Sequence, residues 1–164
     1  MLPIVLTDSC TIGLAGQGDA LARRAALLAE TGLRTVAVSP GASLDGFRFL
    51  FVAGLPTEEA AALARRARAA GILVNVEDVP EFCDFHVPAI VRRGELMLTA
   101  STGGQAPGLA RRLREWLEER FGPEWKLHME DVSSARAGWR AEGLEPQEVS
   151  RRTRDLVTEK GWLS

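Results

Sequence analysis

Short apolar runs alternate with helical segments along the first part of the chain, and this alternation limits the fold more than any other feature. Two segments, Asp19–Thr31 and Thr57–Ala70, repeat apolar residues at helical spacing, and a glycine follows each of them. Strands that alternate with helices predict an α/β fold with a mostly parallel sheet. The runs with the length and composition of buried strands are Thr11–Ala15, Arg34–Val38, Arg48–Ala53, Ile72–Val76 and Leu96–Ala100.

The chain changes character after residue 100. Pro107–Phe121 has the pattern of a strong helix that ends at Gly122-Pro123, and Pro146–Lys160 has the pattern of a terminal helix. No strand is indicated beyond residue 121, where three of the four tryptophans lie. The sequence therefore predicts two domains, an α/β domain over residues 1–100 and a helical region over residues 101–164.

Charge and cysteine content narrow the class of protein. The net charge of the 164 residues is −2, which gives no electrostatic reason to expect nucleic acid or an anionic membrane as a partner. No apolar run approaches the roughly 18 residues of a membrane span, and no signal peptide is indicated. The two cysteines are far apart and indicate no disulfide framework, so a reducing cytoplasm is the expected location.

A glycine loop, Gly16-Gln-Gly18-Asp-Ala-Leu21, follows the first predicted strand and opens the first predicted helix. This is the context of a dinucleotide fingerprint, in which glycines let the backbone approach a pyrophosphate at a helix N-terminus. No acidic residue ends the second strand to hold a ribose hydroxyl. Tight strand-to-helix turns also use glycine for steric reasons alone, so both interpretations stay open here.

A cluster of polar residues follows the fourth predicted strand. Asp78 comes just after the strand end, where a carboxylate can project into the cleft as a general base or simply cap a turn. Cys83-x-x-His86 has a spacing that suits two metal ligands. Two ligands do not complete a closed site and no second Cys/His pair exists, so no permanent metal is predicted.

A second glycine loop, Ser101-Thr-Gly-Gly104-Gln-Ala-Pro107, links the last predicted strand to a strong helix. Exposed amides and the helix dipole suit an anionic ligand there, and Arg111, Arg112 and Arg114 lie one turn into the helix. The alternative is a capped helix with a solvated basic face.

The segment that contains both polar loops resembles a known family. Residues 75–119 read NVEDVPEFCDFHVPAIVRRGELMLTASTGGQAPGLARRLREWLEE. This stretch is similar, without gaps, to the N-terminal module of siroheme synthase, the precorrin-2 dehydrogenase / sirohydrochlorin ferrochelatase family. The opening Leu2-Pro-Ile also resembles the start of that family, so the likeness covers about residues 1–121.

The resemblance implies a Rossmann-like, NAD-binding domain followed by a helical dimerisation region, and hence a homodimer. It implies oxidation of precorrin-2, a tetrapyrrole, to sirohydrochlorin with NAD as the cofactor. In bifunctional members the same pocket then inserts Fe²⁺. Fe²⁺ or Co²⁺ would therefore be a substrate metal.

The resemblance also assigns candidate roles to individual residues. Asp78 matches the aspartate that the family uses in both steps. The positions that match NAD contacts are Gly16, Gly18, Asp19, Ala20, Ser39 and Pro40. The positions expected to contact the polycarboxylate substrate are His86, Ser101, Thr102, Gly103, Gly104 and Arg111.

The chain departs from the family pattern on the nucleotide side. The segment after the second strand is much shorter, Gly54-Leu55-Pro56 replaces the usual Thr-Asp-Asp, and Leu21 replaces a small residue. These departures leave a second hypothesis open, an NAD-independent chelatase or tetrapyrrole-binding protein that has lost dehydrogenase activity. A third hypothesis, a non-enzymatic sensor of nucleotides or tetrapyrroles, gives no reason for a carboxylate at the strand end.

Overall fold

The computed structural model describes residues 6, 7, 9–39 and 41–163. The chain forms two compact units that divide between Val87 and Pro88. The first unit contains β1 (Thr11–Gly16), α1 (Gly18–Ala29), β2 (Arg34–Ala37), β3 (Phe49–Ala53), α2 (Thr57–Ala69), β4 (Leu73–Val76) and a short 3₁₀ helix, Pro80–Phe82. The second contains β5 (Ala89–Arg93), β6 (Leu96–Ala100), α3 (Pro107–Arg120), α4 (Trp125–Ala141) and α5 (Pro146–Glu159).

The four strands of the first unit form one parallel sheet in the order β2-β1-β3-β4. β2 pairs with one side of β1, and β3 pairs with the other side of β1. The carboxyl ends of β1 and β3 therefore flank a topological switch point, the place where open α/β sheets bind ligands. This topology confirms the predicted Rossmann-like fold.

A helix covers each face of this sheet. Three alanines of α2, at positions 60, 64 and 67, are almost fully buried, so the helix lies close to Leu50, Val52 and Val74. On the opposite face Leu28 of α1 packs with the cluster that contains Phe51. The alternation of side chains along β3 sends neighbouring residues to opposite faces, and this explains the nearly continuous apolar strand.

The described residues of the link from β2 to β3 form no helix. Leu44 of this link is only 5% exposed and packs with Val38 in the same core as α2, and Phe47 packs against that core. Side chains of the link itself therefore cover the sheet face beside α2. β2 remains exposed at Thr35 and Ala37.

The second unit begins with an antiparallel hairpin of β5 and β6. Leu96–Ala100 therefore belongs to this hairpin, although the sequence pattern places it in the parallel sheet. As a result the units divide after Val87, whereas the predicted domain boundary lies after residue 100. The Arg93 guanidinium holds the hairpin to the end of α3, since it donates to the carbonyl oxygens of Phe121 at 2.7 Å and Glu118 at 3.3 Å.

Three helices complete the second unit. α3 and α5 confirm the predicted helices, whereas α4 was not predicted as a separate helix. α4 packs against α5, whose Val149 is 1% exposed. None of the helices in the described part of the chain has the length and apolar composition needed to cross a membrane.

Candidate functional site

The glycine loop joins β1 to α1 at the switch point of the sheet. A Cβ on Gly16 would lie 1.8 Å from the carbonyl oxygen of Ala53, and the amide of Gln17 donates to that same oxygen at 3.1 Å. A Cβ on Gly54 would lie 2.2 Å from the carbonyl oxygen of Gln17. These glycines are therefore required by close backbone packing between the ends of β1 and β3.

Gly18 differs from Gly16 and Gly54, because no neighbouring atom would clash with a side chain at its position. Its φ is +65°, and a Cβ there would meet no atom within 4 Å. Gln17, the N-cap residue of α1, makes no side-chain hydrogen bond to the first turn of the helix. Asp19 is exposed and Ala20 is partly exposed. The first-turn amides of α1 therefore lack a side-chain cap and border open space, as the pyrophosphate of a dinucleotide requires.

Ser39, two residues after the end of β2, lies beside this loop. The amide of Val38 donates to the carbonyl oxygen of Leu14 at 2.8 Å, which places the exposed Ser39 next to the end of β1. Pro40, the other predicted NAD contact here, lies outside the described residues. The end of β2 thus offers a hydroxyl rather than a carboxylate to the predicted nucleotide.

Asp78 lies in a tight turn directly after β4. The amide of Glu77 donates to the carbonyl oxygen of Val52 at 2.9 Å, and the amide of Val79 donates to that of Val76 at 3.3 Å and closes the turn. Asp78 has a φ of 61°, and no other described residue except glycine has a positive φ. Such strained conformations concentrate at functional sites.

The carboxylate of Asp78 is exposed and has no hydrogen-bond or ion-pair partner among the described residues. Its turn follows β4, two strands from β1, so about 10 Å separates it from the glycine loop along the carboxyl edge. The neighbouring Glu77 is already paired, because the Arg24 guanidinium lies 3.8 Å from its carboxylate. Of these two neighbouring carboxylates, only that of Asp78 has no partner among the described residues.

The ion pair between Arg24 and Glu77 was not predicted from the sequence. The Arg24 side chain is only 14% exposed and lies over the ring of Phe51, 5.2 Å from the ring centroid. A charged residue on the sheet-facing side of α1 is the only sequence signal that could have indicated it.

The predicted pair Cys83 and His86 does not share a role. The Cys83 thiol hydrogen-bonds the backbone of Val76 and Val79, and burial raises its pKa. A thiol that stays protonated in backbone hydrogen bonds packs rather than ligates a metal. His86 is exposed, and no three His, Cys, Asp or Glu side chains in the described ranges are grouped as metal ligands.

The second glycine loop belongs to the second unit. The Thr102 hydroxyl accepts a hydrogen bond from the amide of Ala106 at 3.1 Å, and the Ser101 hydroxyl accepts one from the amide of Gly103 at 3.3 Å. Gly103 and Gly104 have φ values of 65° and 81°. Both hydroxyls therefore hold the loop in shape, and the two glycines allow its turn.

The arginines that follow this loop are paired along their own helix. Arg111 donates to Glu115 at 3.1 Å, Arg112 lies 3.5 Å from the same carboxylate, and Arg114 pairs with Glu118. The hydrogen bond from Arg111, with that from Arg112, lowers the pKa of Glu115. Arg111 is nevertheless 77% exposed, so its guanidinium can still reach an anionic ligand.

The structure thus divides the predicted site residues into two groups. The carboxyl edge of the parallel sheet carries the glycine loop, Ser39 and Asp78, and His86 belongs to the same unit. The loop Ser101–Gly104 and Arg111 belong to the second unit. The fold and the glycine loop define a Rossmann-like protein of the dinucleotide-binding class.

A family model described as "Putative NAD(P)-binding" matches residues 41–89. The solved structure of SirC, precorrin-2 dehydrogenase, has the same fold, with a TM-score of 0.75 over 99% of this chain and 93% of that chain at 17% identity. The family match supports the predicted NAD-type cofactor.

Several siroheme synthases are similar in sequence. That of Methylococcus capsulatus is 45% identical over 82 residues, which are 48% of this chain and 17% of the relative. That of Methylobacillus flagellatus is 36% identical over 126 residues, 63% of this chain and 27% of the relative. That of Tolumonas auensis is 31% identical over 169 residues, 82% of this chain and 36% of the relative.

The chain therefore belongs to the siroheme synthase N-terminal module family. It spans between 17% and 36% of the length of these three curated relatives.

Proposed function

We propose that this protein oxidises precorrin-2 to sirohydrochlorin in siroheme biosynthesis, with an NAD-type dinucleotide as hydride acceptor. The observation that carries the proposal is the carboxylate of Asp78, which has no partner among the described residues and lies at the carboxyl edge of a Rossmann-like sheet. Two-electron oxidation of a ring carbon and nitrogen releases a hydride and a proton, so a hydride acceptor and a base are both needed. Membership of the siroheme synthase module family supports this choice of substrate.

The glycine loop is the proposed dinucleotide site. The amides of Gly18, Asp19 and Ala20 would bind the pyrophosphate, Gly16 would keep the loop close to β3, and Ser39 with Pro40 would border the ribose. When bound, the cofactor supplies the nicotinamide that accepts the hydride. Asp78 then accepts the released proton on a carboxylate oxygen, which is free because no described residue pairs with it.

The second glycine loop is the proposed anchor for the substrate's carboxylates. Precorrin-2 is a polycarboxylate, and the amides of Gly103 and Gly104 together with Arg111 suit anionic groups. Ser101 and Thr102 would contribute by fixing the loop, since their hydroxyls already accept hydrogen bonds from it. His86, which is exposed, is a further proposed substrate contact.

Metal insertion is the proposed second activity. Chelation requires a base that removes pyrrole protons, and Asp78 would serve this step as well as the oxidation. Fe²⁺ or Co²⁺ would be the substrate metal. The shortened segment between β2 and β3 and the Gly54-Leu55-Pro56 sequence favour an alternative in which only chelation or tetrapyrrole binding is retained.

A homodimer is proposed from one face of α3. Leu109, Leu113 and Trp116 are spaced by four and three residues, so they share one side of the helix. They are 54%, 40% and 52% exposed, which is unusual for three apolar side chains in one stripe.

Both cysteines are free, which is consistent with the proposed location in a reducing cytoplasm.

The test is an anaerobic assay with precorrin-2, in the presence and absence of NAD⁺. The proposal predicts that sirohydrochlorin and reduced nicotinamide form in equal amounts, and that no sirohydrochlorin forms without NAD⁺. A titration with NAD⁺ separates the alternative, which predicts no saturable binding but metal insertion when sirohydrochlorin and Fe²⁺ or Co²⁺ are supplied. Absence of NAD⁺-dependent oxidation would reject the dehydrogenase proposal.

A further inference from the structure

A short return segment, Cys83–Phe85, lies against the strand that supplies Asp78. The amide of Val74 donates to the Asp84 carboxylate at 2.9 Å, and the amide of Asp84 donates back to the carbonyl oxygen of Val74 at 2.7 Å. The side-chain amide of Asn75 donates to the carbonyl oxygen of Phe85 at 2.9 Å. These bonds fix the return segment along β4, so Cys83 has a defined position beside the strand end.

From that position the Cys83 thiol bonds both ends of the turn that contains Asp78. The sulfur accepts from the amide of Val76 at 3.3 Å. The S–H can donate to the carbonyl oxygen of Val76 at 3.1 Å or to that of Val79 at 3.4 Å. Because burial raises the pKa of the thiol, it keeps the proton that these bonds need. No other described side chain hydrogen-bonds the backbone of residues 76–79.

We propose that Cys83 is a positioning residue for Asp78, one that holds the turn 76–79 in the conformation that directs the catalytic carboxylate. This inference rests on the proposed role of Asp78. A non-glycine residue at a φ of 61° persists only where its surroundings fix the conformation, and the thiol is the side chain that supplies this constraint. A sequence in which a lone cysteine follows an acidic turn gives no sign of the role, since the contact depends on the 3₁₀ helix folding back.

The experiment compares three replacements of Cys83 under anaerobic turnover with precorrin-2 and NAD⁺. Cys83→Ala and Cys83→Val both remove the hydrogen bonds, and the valine also fills the space. We expect kcat to fall by about tenfold to a hundredfold in both, because small misplacement of a catalytic group is costly. KM for precorrin-2 should change by less than about twofold, since the proposed substrate contacts are intact. Cys83→Ser, whose hydroxyl donates and accepts, should restore most of kcat.

Cys10→Ala is the matched control, because Cys10 is the other free cysteine and precedes the amino end of β1, at the opposite edge of the sheet. It should keep the kcat of the unmodified protein. Amide hydrogen exchange at Val76 and Val79 supplies a readout that does not depend on activity. Exchange at both amides should accelerate in Cys83→Ala and Cys83→Val and should stay near the original rate in Cys83→Ser and Cys10→Ala.

The outcomes separate this inference from the proposed function. If the unmodified protein does not oxidise precorrin-2, the proposed function fails, and unchanged exchange in the apolar variants would then overturn the inference as well. If oxidation occurs and Cys83→Val retains full kcat, the inference fails while the proposed function stands. Loss of kcat that Cys83→Ser does not restore would likewise overturn it. Should Cys83→Ala not fold, the Val and Ser variants still make the comparison.

Discussion

The carboxylate of Asp84 provides the sharpest test of how the β4 edge is held. It accepts from the amide of Val74 at 2.9 Å and from Nε of Arg68 at 2.9 Å. Val74 is fully buried, so removing the carboxylate leaves an amide without a partner, which costs about 1–3 kcal/mol. The ion pair adds less, about 0.2–1 kcal/mol, because its side chains are 38% and 24% exposed. We therefore expect Asp84→Ala to lower the free energy of unfolding by about 2–3 kcal/mol.

Urea unfolding measures this difference, and thermal unfolding checks it, since each kcal/mol corresponds to about 2–4 °C in Tm for a chain of this size. Arg68→Ala is the matched variant, because it removes the ion pair but leaves the bond from the amide of Val74 to Asp84. Asp84→Asn keeps one oxygen as an acceptor for that amide. The expected order of destabilisation is Asp84→Ala first, then Asp84→Asn, and Arg68→Ala last.

An equal loss of stability in Arg68→Ala and Asp84→Ala would refute this reasoning. That result would mean that the ion pair, rather than the strand-edge amide, determines the contribution of Asp84.

Further predictions concern the turn, the glycine loop, the hairpin and the C-terminal helices. Asp78→Gly should leave stability unchanged or raise it by up to about 1 kcal/mol in urea unfolding, because glycine adopts the left-handed φ without strain, whereas Asp78→Ala should lower it. Gly16→Ala should destabilise the fold strongly, because its Cβ would lie 1.8 Å from a backbone oxygen. Gly18→Ala meets no atom, so it should still fold, with a loss of about 1 kcal/mol from the positive φ, and should weaken NAD⁺ binding in calorimetry. Arg93→Ala should cost about 2 kcal/mol in urea unfolding, because it removes hydrogen bonds to two carbonyls at the end of α3, and Arg93→Lys should recover part of the loss. The hydrogen bond from Arg151, with that from Arg152, lowers the pKa of Glu148 to about 2 from its usual 4.5. The stability that the Glu148 carboxylate contributes should therefore be present above pH 4.5 and disappear as the pH falls toward 2. Thermal unfolding of Glu148→Gln should not show this loss.

The parallel sheet and its switch point were predictable because the sequence alternates short apolar runs with glycine-terminated helices. The hairpin was not predictable. An apolar run such as Leu96–Ala100 fits a parallel or an antiparallel strand equally well, and only its pairing with Ala89–Arg93 decides between them. α4 was missed because its sequence has no side-chain N-cap to mark its start.

The place of Asp78 in the fold was predictable from the sequence, but its conformation and contacts were not. The place of Asp78 after a strand follows from the pattern of residues 72–78, since parallel strands end at the same edge. The left-handed conformation of Asp78 and the hydrogen bonds of the Cys83 thiol to its turn depend on contacts between residues several positions apart. A periodic sequence pattern does not indicate such contacts. The pair of Arg24 and Glu77 was likewise hidden, because it joins α1 to the end of β4.

The most direct test of the central claim is the rate at which Asp78→Asn oxidises precorrin-2 with NAD⁺. Asparagine has nearly the same shape and tolerates a positive φ, so folding and binding of both ligands should be retained. Glu81→Gln, an exposed carboxylate three residues along the same loop, is the matched control and should keep full activity. The proposed role predicts a fall in kcat of at least about a hundredfold in Asp78→Asn alone, the scale of a lost general base. Turnover by Asp78→Asn at the rate of the unmodified protein would contradict it.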